Sequence, residues 1–112
     1  MSDKPSDAEL TDEELDAQLR EIADQFIDLA NQQAERFHKE NISQGLMYAA
    51  ARFNAFVVTS DADDIAAYDQ ERDRAIEYFV EQYREMFTTN LDDYRNTFED
   101  LKYAHLMSSR PN

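Results

Sequence analysis

The sequence predicts an all-α fold, an antiparallel bundle of three to four helices packed around a buried central helix at about 43–59. Three observations lead there. The 112 residues hold one glycine and two prolines, too few for the turns of a β fold. Apolar residues recur at three- and four-residue steps along most of the chain. Between Ser43 and Thr59 the only charge is Arg52, although the whole chain carries −14. On a helical wheel the polar stripe of that stretch is narrow, Gln44, Tyr48, Arg52 and Thr59. The rest of its circumference is apolar, the pattern of a helix covered by its neighbours.

The elements follow in order. Residues 1–10, acidic and interrupted by Pro5, read as a mobile tail. Residues 11–107 form a single helical domain, and 108–112 a second short tail. Thr11 and Glu14 have the spacing of a capping box, with Leu10 and Leu15 placed to staple it. Leu15, Leu19, Ile22, Phe26, Leu29 and Phe37 then mark a first helix to about Lys39, ended by Asn41 in a left-handed conformation. Ser43 caps the central helix. Ser60 or Asp61 caps a third, with Asp63 and Asp64 favourably placed at its positive end. Thr88, Thr89 and Asn90 are weak helix formers and predict a break or kink. A last helix follows, with Leu91, Tyr94, Phe98, Leu101 and His105 on one stripe.

Charge and composition narrow the chemistry. Residues 1–40 carry −8, residues 41–60 carry +1 and residues 61–112 carry −7. Such a surface repels nucleic acid phosphates and anionic lipids, so no direct nucleic acid or membrane partner is expected. Without cysteine there are no disulfides, thiol nucleophiles or thiolate metal sites. No apolar run reaches a membrane span, and the acidic N-terminus is unlike a signal peptide, which makes a cytoplasmic protein the default. A single glycine excludes a glycine-rich phosphate loop and leaves an EF-hand without its turn.

Catalytic, metal and cofactor residues are therefore not assigned. Glu35 and His38 have the E-x-x-H spacing of a di-iron bundle, but Lys102 precedes His105 where a second pair would need glutamate. Paired acids such as Asp63–Asp64 and Asp92–Asp93 fit helix starts and solvated faces better than acid–base work. Asn54 stands out, because it falls in the middle of the apolar arc. It is expected to bond a tyrosine, a histidine or a backbone carbonyl, or else to form the polar floor of a small pocket with Arg52 and Tyr48 nearby. Arg52 is expected to pair with a carboxylate on a neighbouring helix.

The runs LMYAAARFNAFVV and AIEYFVEQYREMFTTNLDDY, within residues 20–100, resemble a small all-helical bacterial family, a domain of unknown function. The resemblance implies bacterial origin and a helical fold, and it brings no activity, ligand or site residue. The leading functional expectation is a non-catalytic protein–protein interaction or self-association module, with a homodimer sealed through Tyr103, Leu106 and Met107. The alternatives are an acidic decoy of a basic nucleic-acid-binding protein, and a small-molecule binder with a pocket near Asn54.

Overall fold

The computed structural model describes residues 9–100, which are all-α, with no strand among them. Three long helices account for most of them: α1 (Asp12–Gln33), α2 (Lys39–Asp61) and α3 (Ile65–Asn96). The chain divides into two compact units, residues 1–46 and 47–112, so that the division falls within α2. None of the helices among the described residues is long and apolar enough to cross a membrane.

In the first unit the expected capping box is formed. The Glu14 amide donates to Thr11 Oγ1 at 3.0 Å, and the Thr11 amide donates to Glu14 Oε1 at 2.9 Å. Asp12, Glu13 and Glu14 place negative charge against the positive end of the helix dipole. The end of α1 differs from the expectation of Lys39. The helix stops at Gln33, where the apolar stripe thins to Ala30 and Ala34 around the polar run Asn31–Gln33. Residues 34–38 make the connection, in which the Arg36 guanidinium lies over the Phe37 ring at 4.9 Å. The next helix begins early, because the amides of Asn41 and Ile42 both donate to the His38 carbonyl at 3.0 Å. Ser43 is thus inside α2 and does not cap it. Asn41 is helical too, and no described residue has positive φ. Glu40 sits in the first turn of α2, where its own backbone amide first, and Lys39 second, hold its carboxyl below the usual carboxylate range. A lowered folded-state pKa stabilises the folded form above the ordinary carboxylate pKa, and that contribution is lost as pH falls through the lowered value.

In the second unit α2 runs to Asp61, past the expected caps Ser60 and Asp61. Ser60 instead returns its hydroxyl to the Val57 carbonyl at 2.9 Å. The cap of α3 is Asp64, whose side chain accepts from the Ala67 amide at 2.9 Å. Replacing Asp64 with Ala should cost about 1 kcal/mol, visible as a lower urea midpoint by circular dichroism, since the Ala67 amide loses its acceptor. An unchanged midpoint would show that water serves that amide equally well.

The break expected at 88–90 is absent, and α3 continues for 32 residues, or about 48 Å. Two threonines cost a few tenths of a kcal/mol each in a helix. Asn90 offsets part of this by donating its side-chain amide to the Met86 carbonyl at 2.8 Å. The apolar repeat Tyr83, Phe87, Leu91, Tyr94 crosses the threonines without losing phase. Leu91 and Tyr94 therefore belong to α3 and not to a separate fourth helix.

The turn Ala62–Asp64 folds α3 back on the C-terminal part of α2 as an antiparallel pair. Half-buried residues trace the seam: Asn54 and Val58 from α2 and Ala62 from the turn, with Tyr68, Ala75, Phe79 and Gln82 from α3. Their steps of three, four and seven are those of helices crossing at a shallow angle, and the alanines let the backbones approach.

The expected burial of the central helix is not found. No described residue is buried. Within the second unit, residues 47–61 of α2 have α3 as their neighbouring helix. The side opposite α3, although apolar, stays open to solvent.

Candidate functional site

Two surfaces of the second unit collect the residues of interest. The first is a groove along the seam, about 330 Å³, lined by Asn54 and Val58 from α2 and by Tyr68, Arg72, Ile76 and Phe79 among others from α3. Asn54 is the polar residue that α2 contributes to it. Its placement in the apolar arc is as the sequence indicates, but the expected internal partner is missing: no hydrogen bond joins its amide to another described side chain or to the backbone. No buried side-chain polar atom is unsatisfied among the described residues, so the half-buried Asn54 amide is served by solvent in the groove. The groove has one cationic lining residue, Arg72, whose guanidinium is already bonded to Asp73 Oδ1 at 2.9 Å.

Exchanging Asn54 for Leu replaces a half-buried, solvent-served amide by apolar area along the seam. We expect the protein to gain about 1 kcal/mol in urea denaturation. A loss of stability would show that the Asn54 amide is held by groups within the fold.

The second surface is the outer face of α2. Tyr48, Arg52, Phe53, Phe56 and Thr59 line it together with small alanines. Phe53 and Phe56, three residues apart, bring their rings to 6.2 Å with a 42° tilt. Exposure is high, at 68% for Tyr48, 64% for Phe53 and 63% for Phe56. Thr59 turns its hydroxyl back to the Ala55 carbonyl at 2.8 Å, so the lower end of this face offers little free polarity. The expected carboxylate partner of Arg52 is not there: among the described residues it takes part in no ion pair. Asn54 thus lies apart from Arg52 and Tyr48, on the opposite side of the same helix, and the three do not form one pocket.

The other sequence candidates are quickly placed. Glu35 and His38 fall in the connection between α1 and α2. Among the described residues no group of three or more histidine, aspartate or glutamate side chains is clustered to hold a metal ion. Tyr103, Leu106 and Met107, like His105 and the tails at 1–8 and 108–112, lie outside the described residues. The sequence places Ile76, Val80, Tyr83 and Phe87 on the apolar face of the third helix, and Tyr83 stacks on Phe87 with ring centroids at 5.5 Å. The continuation of that face to Leu91 and Tyr94 was hidden by the interruption expected at Thr88–Asn90.

Comparison with protein families finds one that spans most of the chain. The model of a family described as "Protein of unknown function (DUF3144)" matches residues 19–95, which includes α2 entire, nearly all of α3 and α1 from Leu19 onward. Comparison with curated proteins and with solved structures gives no match.

Proposed function

The chain belongs to the DUF3144 family, and from that premise we propose that it is a non-catalytic protein–protein interaction and self-association module. The observation that carries this reading is the outer face of α2, where Tyr48, Phe53 and Phe56, each more than 60% exposed, surround Arg52, which takes part in no ion pair among the described residues. Aromatic residues with an arginine among them are the side chains that interfaces concentrate at their energetic centres. The strongly acidic remainder of the surface keeps such a face from aggregating indiscriminately and disfavours contact with nucleic acid or anionic membranes. A cytoplasmic setting and a protein partner, a second copy included, accord with that charge.

The test is binding to the immobilised full chain at low salt and at roughly 0.5 M salt, where charge interactions are screened beyond a few ångströms. An apolar face predicts retention at both. Binding confined to low salt, with a basic nucleic-acid-binding protein as the species lost, would move the assignment to the acidic decoy.

A second reading draws on the groove at Asn54, an apolar trough with one solvent-served amide, which suits a small apolar molecule carrying a single hydrogen-bonding group. Ligand-dependent thermal stabilisation that disappears in Asn54→Leu would favour it.

A further inference from the structure

A stripe of α3 flanking the α2 seam has a symmetry of its own. Its apolar stripe starts at Ile76 and runs through Val80, Tyr83, Phe87, Leu91 and Tyr94, each between 47% and 57% exposed. Around Phe87 the spacing is a mirror. Tyr83 and Leu91 stand four residues to either side, and Val80 and Tyr94 stand seven to either side. Ile76 stands eleven before, and position 98, just past the helix end, is again aromatic.

At 100° per residue the stripe lies about 110° around the helix from the seam residues Tyr68, Ala75, Phe79 and Gln82. Ile76 and Val80 at its start also border the groove shared with α2, whereas Tyr83, Phe87, Leu91 and Tyr94 do not line it. No charged side chain falls on the stripe. Along one edge stand Glu77, Arg84 and Arg95. Arg84 is engaged by Glu81 of its own chain at 3.6 Å, whereas Glu77 and Arg95 take part in no ion pair among the described residues.

We propose that this stripe is a two-fold interface in which α3 of one copy pairs antiparallel with α3 of a second copy, centred on Phe87. The inference rests on the self-association reading above and names the surface that performs it. Two arguments select a second copy. An isologous contact requires a surface complementary to itself under a two-fold rotation, which the mirror spacing provides. In that arrangement Phe87 meets Phe87, Tyr83 meets Leu91 and Val80 meets Tyr94.

The second argument is charge. Antiparallel helices related by a two-fold bring like edges together, so Glu77 of each copy comes within about one helical rise or two of Arg95 of the other. The pairing then repeats at both ends. A parallel pairing would leave both groups without each other. The helix pair is about 27 Å long between Ile76 and Tyr94, enough for an interface of several turns.

The experiment uses the full chain in sedimentation equilibrium over a wide concentration range. The expected result is a monomer–dimer equilibrium. Phe87→Asp sets two carboxylates against each other at the two-fold and should raise the dimer dissociation constant at least about a hundredfold, with helicity unchanged. Glu77→Arg and Arg95→Glu should each weaken the dimer severalfold, and the double exchange should restore it. Because the chain has no cysteine, Phe87→Cys reports geometry directly. It should oxidise to a disulfide dimer, while Tyr83→Cys should couple to Leu91→Cys in a mixture and not to itself.

A wild-type chain that stays monomeric overturns the inference, whether another segment or another protein covers the stripe. Salt-resistant binding of a different protein would then leave the interaction reading standing. A dimer indifferent to Phe87→Asp, or one in which Tyr83→Cys couples to itself, overturns the inference and leaves self-association intact. Loss of both dimer and salt-resistant binding removes the broader reading as well.

Discussion

Phe79→Ala should lower the stability of the second unit by about 2 kcal/mol, the largest loss expected from any single truncation in the α2–α3 pair. Phe79 is half-buried and lines the groove on each side of the seam. Its ring meets Tyr78 edge-on at 5.3 Å, an arrangement worth a further fraction of a kcal/mol. A fully buried phenylalanine cut to alanine costs 3–5 kcal/mol, and partial exposure scales that down. Urea unfolding followed at 222 nm, at a protein concentration low enough to suppress association, should show a midpoint lowered by roughly 1–2 M. A shift within 0.3 kcal/mol of zero, as expected for an outward-facing residue, would mean that the seam is not what holds the two helices together.

The other large effect concerns binding. Phe53→Asp combined with Phe56→Asp should abolish salt-resistant partner binding, weakening it by about a hundredfold or more. Both rings are more than 60% exposed, so the fold loses little when they are replaced. Helicity and the urea midpoint should therefore remain close to wild type while binding disappears. Arg52→Ala should act in the same direction but less strongly, because a single exposed charge contributes mainly to specificity and approach. Undiminished binding by the double variant would shift the partner surface elsewhere, to α1 or to the apolar stripe of α3.

Much of the fold was legible from local chemistry. The Thr11–Glu14 box is encoded within four residues, and it forms as expected. Periodicity identified the helices and the apolar faces. What it could not supply was the number of neighbours. A stretch apolar on nearly all sides, such as 43–59, meets the description of a core helix and equally that of a helix with one face on its own fold and another free. Composition is the same in both cases. The boundaries failed for a related reason. Ser43 and Asn41 are good capping residues by type, but the His38 carbonyl, upstream of both, accepts from the amides of Asn41 and Ile42 and starts the helix earlier. Thr88–Asn90 look like a stop by propensity, yet the repeat from Tyr83 to Tyr94 outweighs three weak helix formers.

The site was legible only in outline. Asn54 stands out in the sequence as a polar residue within an apolar arc, and in the structure it lines the groove along the seam. Its relation to Arg52 and Tyr48 depended on which face α3 covers, a fact about another helix. Once α3 is placed, the two groups separate onto opposite sides of α2.

The three-residue turn at Ala62–Asp64 has a further consequence for how the second unit assembles. Val58 and Tyr68, which share the first groove across the seam, are ten residues apart in the chain, and Ala51 and Phe79 at the other end of the contact are twenty-eight apart. Contacts this local demand little loop closure before they are rewarded. Pairing should begin beside the turn and zip outward, on the microsecond-to-millisecond scale of helical proteins of low contact order. The order reverses in opening. Amides near Ala51 and Val80 should exchange with solvent through smaller fluctuations than those near Val58 and Tyr68.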